Sequence, residues 1–137
     1  MKYTFLDTGY LIALEASDDQ YHKKAQLHWE KFSQDQLLLV TTSYVFDEVT
    51  TFFNSRDRHS KAVEIGQTLL TSPSVKFIHV DKALFKDGWE VFQQHADKRY
   101  SLTDCISFVI MENEKIREVL SFDNHFEQAG FKKLPVI

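Results

Sequence analysis

The chain has 137 residues, 43% hydrophobic and 26% charged, enough for one folded domain with a real core and too few for two. A net charge of −4 provides no global basic field to recruit a polyanion, and the single cysteine, Cys105, excludes an intramolecular disulfide scaffold. Near the N-terminus the apolar stretches are broken by Asp7 and Glu15, too early and too often for a signal peptide or membrane span, so a cytoplasmic protein with no membrane partner is expected.

Tyr3 to Leu6 is a short apolar run ending at Asp7 and is expected to be a buried strand. Leu11, Ile12 and Leu14 then fall in helical spacing over Thr8 to Ala16. Tyr21, Ala25, His28, Trp29 and Phe32 recur every three or four residues and mark an amphipathic helix. A second strand is expected over Leu37 to Val40, passing through Thr41 and Thr42 into a helix from Tyr44 to Asn54. The segment from Arg56 to Lys61 is polar and turns. Ala62, Ile65, Gly66, Leu69 and Leu70 form the next helical stripe, which Ser72-Pro73-Ser74 stops. A strand over Val75 to Val80, helices over Lys82 to His95 and Leu102 to Glu114, a strand over Val119 to Phe122, a short helix from Asn124 to Gln128 and a terminal strand over Leu134 to Ile137 complete the chain.

Strands alternate with helices, and the strands are continuous apolar runs. That pattern predicts one α/β domain over residues 1–137, with a parallel sheet of four to five strands covered by helices on both faces. Twelve phenylalanines point to a core built on aromatic packing.

In open parallel sheets, ligands bind beyond the carboxyl ends of the strands. Asp7 and Asp123 directly follow strand-like runs, Asp104 lies in the first turn of its helix, and Asp47 and Glu48 lie one turn into theirs. Each acid has an ordinary explanation. Asp7 fits an N-cap, Ser101 with Asp104 fits a capping box, Asn124 with Glu127 fits another capping pair, and Glu48 fits a solvated face. Yet a cap tolerates Ser, Thr or Asn, whereas these positions are all acids. Acids gathered at one edge repel unless a cation lies between them. No Cys/His group has zinc spacing: His22 and His28 are six residues apart, and His59, His79 and His95 are scattered. Carboxylates without soft ligands suit Mg²⁺ or Mn²⁺. Cys105, at an apolar helix start, reads as a small core residue. Neighbouring Asp47 and Glu48 are about 100° apart around a helix, so only one of them faces such a site.

Four segments carry a resemblance: Phe5-Leu6-Asp7-Thr8-Gly9; Thr41-Thr42-Ser43-Tyr44-Val45-Phe46-Asp47-Glu48-Val49; Tyr100-Ser101-Leu102-Thr103-Asp104-Cys105-Ile106-Ser107-Phe108; and Ser121-Phe122-Asp123-Asn124-His125-Phe126 running on to Phe131. In this order and spacing the whole chain resembles the PIN-domain family of metal-dependent ribonucleases, and especially the VapC-type toxins of prokaryotic toxin–antitoxin pairs. The resemblance selects Glu48 over Asp47. One departure is Asn124, where many relatives carry Arg or Lys.

The resemblance implies that Asp7, Glu48, Asp104 and Asp123 are catalytic and hold one or two Mg²⁺ or Mn²⁺ ions that hydrolyse RNA, leaving 5′-phosphate and 3′-hydroxyl ends. Thr8 and Thr103 are expected to support the ligands by hydrogen bonds. Arg56, Arg58, Lys61, Lys98 and Arg99 are expected to grip RNA locally, with His125 as a further phosphate contact. The family further implies a cognate antitoxin and a homodimer. An unpaired RNA-processing nuclease and a catalytically idle RNA- or protein-binding module remain alternatives. An aspartyl phosphatase is disfavoured because Gly9 stands where it needs a second Asp, and a receiver domain because the early paired acids it needs are missing.

Overall fold

Five short runs become strands, and every strand pairs in parallel. In the computed structural model, which describes residues 2–35 and 37–136, these are β1 (Thr4–Leu6), β2 (Leu39–Thr42), β3 (Val75–Ile78), β4 (Glu118–Leu120) and β5 (Lys132–Leu134). Their order across the sheet is β3-β2-β1-β4-β5. The helices between them are α1 (Thr8–Glu15), α2 (His22–Phe32), α3 (Ser43–Asn54), α4 (His59–Thr71), α5 (Lys82–Gln94), α6 (Leu102–Asn113) and α7 (His125–Gln128). No described helix is long and apolar enough to cross a membrane.

Sheet order fixes where the helices go. From β1 the chain steps outward to β2 and β3, then returns past β1 to β4 and steps outward to β5. Right-handed crossovers therefore place α1 to α4 on one face and α5 to α7 on the other, and α1 packs on α2 and α3 while α6 packs on α5 and α7. The expected α/β sheet with two helical layers is what forms. Its direction of winding reverses between β1 and β4, so a crevice opens beyond their carboxyl ends.

The core is aromatic, as the composition suggested. Phe5, Tyr10, Phe53, Ile106 and Phe126 are completely buried, and each contributes roughly 1.5–3 kcal/mol relative to exposure. Phe108 packs against Tyr100, Phe126 and Phe131 on one face. On the other, Phe122 is stacked between Tyr10 and Tyr21. Gly88 lets α5 lie close on α6, because any Cβ there would run into the side chain of Ile106.

Several boundaries differ from the sequence expectation. β2 is displaced from Leu37–Val40 and includes Thr41 and Thr42. These β-branched residues suit a strand, and their hydroxyls are used: Thr41 Oγ1 donates to Leu6 O, while Thr42 Oγ1 accepts from Tyr44 N and Val45 N to cap α3. β3 ends at Ile78, and β4 spans Glu118–Leu120 rather than 119–122. The last strand is Lys132–Leu134; of the expected Leu134–Ile137 run, Ile137 lies outside the described residues. Its two lysines concealed it from a search for apolar runs.

Candidate active site

Parallel register brings the first and last acids together. Phe5 pairs with Val119 and Leu6 with Leu120, so the residues that follow, Asp7 and Ser121, leave the sheet side by side. Asp7 N donates to Leu120 O at 3.1 Å, and Ser121 Oγ donates to Asp7 Oδ2 at 2.8 Å. Ser121 Oγ also accepts from Asp123 N at 2.9 Å. One buried hydroxyl thus ties the start of α1 to the loop after β4. Ser121 received no role from the sequence, although a lone polar residue directly after an apolar strand and two before an acid was the signal for it.

Asp7 occupies the N-cap position of α1 but makes no side-chain cap. Its carboxyl is buried and turned to Ser121, which removes the capping explanation. Burial pushes its pKa from 3.8 up to about 7; the Ser121 hydrogen bond opposes this, and repulsion from Asp104 and Asp123 adds to it. Asp104 is buried as well, and it does complete the capping box: Ser101 Oγ accepts from Asp104 N, and Asp104 Oδ2 accepts from Ser101 N, both at 3.0 Å. The same Oδ2 lies 2.8 Å from His125 Nδ1. Asp123 Oδ1 accepts from His125 N and lies 3.3 Å from His125 Nδ1. Asn124 does not cap α7; its Oδ1 accepts from Lys133 Nζ at 2.8 Å.

Asp104, Asp123 and His125 form a group whose ligating atoms all lie within 4.8 Å of one another. Asp7 faces this group closely enough to be repelled by both of its acids. Glu48, half-buried on α3, accepts from Thr8 Oγ1 at 2.6 Å, so it is joined through Thr8 to the residue beside Asp7. Asp47 is exposed, and its carboxylate accepts from Thr51 Oγ1 at 3.5 Å. Of the two threonines, Thr8 is the one whose side chain touches an acid. Thr103 contributes its carbonyl to Ser107 Oγ, a contact inside α6. Tyr100, which the sequence also left without a role, sets its ring edge-on to His125 at 5.4 Å. Burial raises the Cys105 thiol to about 11, in keeping with a core residue.

The donor set suits a hard divalent cation. It is carboxylate oxygen with one imidazole, no thiolate among the ligating group, and a carboxyl whose ionisation is costly until a positive charge offsets it.

The expected basic residues divide into two groups. Arg58 makes a two-pronged pair with Asp18, and Lys61 bonds Glu15 at 2.7 Å. Lys61 is thereby held at the far end of α1, about 12 Å along that helix from Asp7, and Arg58 at the turn that follows it. Arg56 lies over the Phe52 ring, 3.7 Å from its centroid, and donates to Phe52 O. None of the three is brought to the acids by a described contact. Lys98 and Arg99 are exposed and directly precede Tyr100 and Ser101 in the chain; Lys98 Nζ lies 3.8 Å from Asp97 Oδ2.

The PIN domain family matches residues 4–132. The chain is similar to the 23S rRNA-specific endonuclease VapC20 of Mycobacterium tuberculosis, in strains CDC 1551 / Oshkosh and ATCC 25618 / H37Rv, with 32% identity over 127 residues, 93% of this chain and 94% of the relative. The crystal structure of Mycobacterium tuberculosis VapC20, a sarcin–ricin loop cleaving toxin, superposes with a TM-score of 0.84 at 30% identity over 93% of this chain and 95% of that one. Family members are metal-dependent nucleases, and an acidic cluster stands at the matching sheet edge. With fold order, acid placement and overall similarity in agreement, the chain belongs to the PIN-domain ribonuclease family, among its VapC-type toxins.

Proposed function

We propose that this chain is an endoribonuclease toxin that hydrolyses ribosomal RNA with Mg²⁺ or Mn²⁺ held by Asp7, Asp104 and Asp123, with Glu48 as a further ligand or water-orienting base. The convergence of Asp7, Asp104 and Asp123 at the reversal point between β1 and β4 carries this reading. The similarity to a 23S rRNA endonuclease along nearly the whole chain supports the substrate class.

A divalent cation bound there supplies a lowered water pKa and a positive charge against which phosphate negative charge can build. The chain's own groups do the positioning. Ser121 fixes the Asp7 carboxylate and the backbone of Asp123 with one hydroxyl. Thr8 holds Glu48 on the opposite flank. His125 stands between Asp104 and Asp123, where its ring can approach a phosphate oxygen, and Tyr100 packs its other side.

A toxin of this kind acts in the cytoplasm and requires a protein that restrains it. The apolar groove between α3 and α4, a cavity of about 340 Å³ bordered by Phe46, Val63 and Leu70, supports a cognate antitoxin as its occupant. The exposed stripe Phe85, Trp89 and Phe92 on α5 supports a homodimer. Incubation of the purified protein with ribosomal RNA and Mg²⁺ or Mn²⁺ tests the activity. Cleavage abolished by EDTA and by Asp104→Asn is the expected result; cleavage that survives both would overturn the metal site.

A further inference from the structure

A second cavity, of about 540 Å³, is bounded by the entry to α2, the β4–α7 loop and β5. Tyr21, Phe122, Asn124, Glu127, Lys132 and Lys133 line it. We propose that this cavity is a nucleotide subsite, in which the RNA base adjoining the cleaved phosphate stacks on Tyr21. The proposal rests on the nuclease reading above and assigns part of its substrate recognition.

Position is the first argument. Phe122 and Asn124 flank Asp123 in sequence, so the cavity shares its wall with the loop that presents an acid to the cluster. A strand of RNA with its phosphate at that cluster would carry a neighbouring base into the adjoining space.

The aromatic arrangement is the second. Tyr10, Phe122 and Tyr21 form a continuous stack: Tyr10 and Phe122 are 5.6 Å apart at 12°, Phe122 and Tyr21 4.6 Å apart at 4°. Tyr10 is completely buried and anchored by His28 Nδ1, 2.8 Å from its hydroxyl. At the other end Tyr21 is only half-buried, and its backbone N–H is held by Asp19 Oδ2 at 2.9 Å. A core stack could have ended in an aliphatic side chain. Ending instead in a locked, partly exposed ring gives a stacking platform of the kind that single-stranded RNA bases use.

Charge and polarity are the third. Lys24 Nζ lies 6.0 Å from the Tyr21 ring centroid and forms no ion pair among the described residues. It lies over the Tyr21 ring, so a base stacking there would displace it toward the phosphate that the base carries. Deeper in, the Lys133 side chain is 9% exposed and serves Asn124 and Glu127, while Lys132 faces Glu118 at 3.6 Å. Lys133 is thus engaged by Asn124 and Glu127, while Lys132 shares Glu118 with Lys2; the Asn124 NH₂ group keeps its donors for a base edge. The cavity thus sets polar side chains beside an aromatic wall, with Lys24 next to Tyr21.

The experiment uses a hairpin of sarcin–ricin loop sequence carrying 2-aminopurine at each loop position in turn, mixed with the full chain in EDTA. Stacking should quench one position. Tyr21→Phe should keep that quench, whereas Tyr21→Leu should abolish it and weaken binding by roughly tenfold or more. Lys24→Gln, on an exposed position that folding does not need, should lower the salt slope of log Kd by about 0.7 and leave the quenched position unchanged. A quench that survives Tyr21→Leu, no quench at any position, or a salt slope unmoved by Lys24→Gln would overturn the subsite. Parallel cleavage assays with Mn²⁺ separate the two readings. RNA cut without any quench removes the subsite alone, and RNA quenched but never cut removes the nuclease reading alone.

Discussion

Two helices at the same sheet edge carry an aspartate at their N-terminal end, and the two aspartates behave differently. At the start of α1, Asp7 sits at the N-cap position yet leaves the helix uncapped, its carboxyl turned inward to Ser121. At the start of α6, Asp104 closes a full capping box and still presents the same oxygen to His125. Asp7 therefore costs the fold free energy that its bond from Ser121 only partly offsets, because its carboxylate is buried and stands against two other acids. Asp104 partly offsets its own cost through the helix it starts. A ligand position can be purely functional or can carry a structural role as well, and substitution distinguishes the two.

The largest effects should come from the acids themselves. Asp7→Asn and Asp104→Asn should each reduce RNA cleavage by more than about a hundredfold, because loss of a direct ligand exceeds the 10–100-fold typical of a supporting residue. In EDTA at pH 8 their stabilities should diverge. Asp7→Asn should raise Tm by relieving a buried charge, while Asp104→Asn, which keeps an oxygen for Ser101 N, should change it little. A fall in Tm for Asp7→Asn would restore a structural role for that residue.

The same carboxyl predicts a pH dependence. Because its folded pKa is raised from 3.8 to about 7, the folded chain holds a proton that the unfolded chain has released between those values. Stability of the metal-free protein should therefore fall as pH rises from about 4 to 7 and level off above, by a few kcal/mol at most. A divalent cation competes with that proton, so Mn²⁺ should raise Tm strongly at pH 8 and weakly at pH 5. An equal rise at both values would separate metal binding from Asp7.

Alternation of apolar runs with helical stripes was enough to read the sheet and both helical layers, since buried parallel strands and amphipathic helices differ in period. The edge strand β5 was displaced because Lys132 and Lys133 break the apolar pattern that central strands obey. Asp7, Asp104 and Asp123 were legible because each terminates or opens an element at the ligand-binding edge. Glu48 needed the family resemblance to separate it from Asp47, and the structure gives the physical difference: Thr8 reaches one and solvent surrounds the other. Ser121 escaped because its importance lies in β1–β4 register, which no local pattern encodes. In the sequence Arg58 and Lys61 show their charge but not their partners, Asp18 and Glu15, which lie 40 and 46 residues away along the chain.

Ser121 ranks below the acids. Ser121→Ala removes the hydrogen bond that favours the ionised form of Asp7 and frees the backbone of Asp123. Cleavage should fall by roughly 10–100-fold, with a matching loss of Mn²⁺ affinity measured by titration. Because the Asp7 carboxyl loses a partner that lowered its pKa, the pH at which activity reaches half its maximum should move upward. Ser121→Thr, which keeps the hydroxyl, should recover most of the loss. An alanine variant with unchanged metal affinity would reduce Ser121 to a packing residue.

The smallest effect belongs to the cap alone. Ser101→Ala removes the oxygen that accepts Asp104 N but leaves the Asp104 carboxylate, its bond to Ser101 N and its approach to His125. Loss of a serine cap costs about 1 kcal/mol, so Tm should drop by a few degrees in a chain of this length. Cleavage should change less than about threefold, since the remaining bond from Ser101 N still orients the carboxylate. If activity instead fell as far as it does for Asp104→Asn, the first turn of α6 would be holding Asp104 only through that hydroxyl. The capping box would then be part of the catalytic apparatus and not merely the end of a helix.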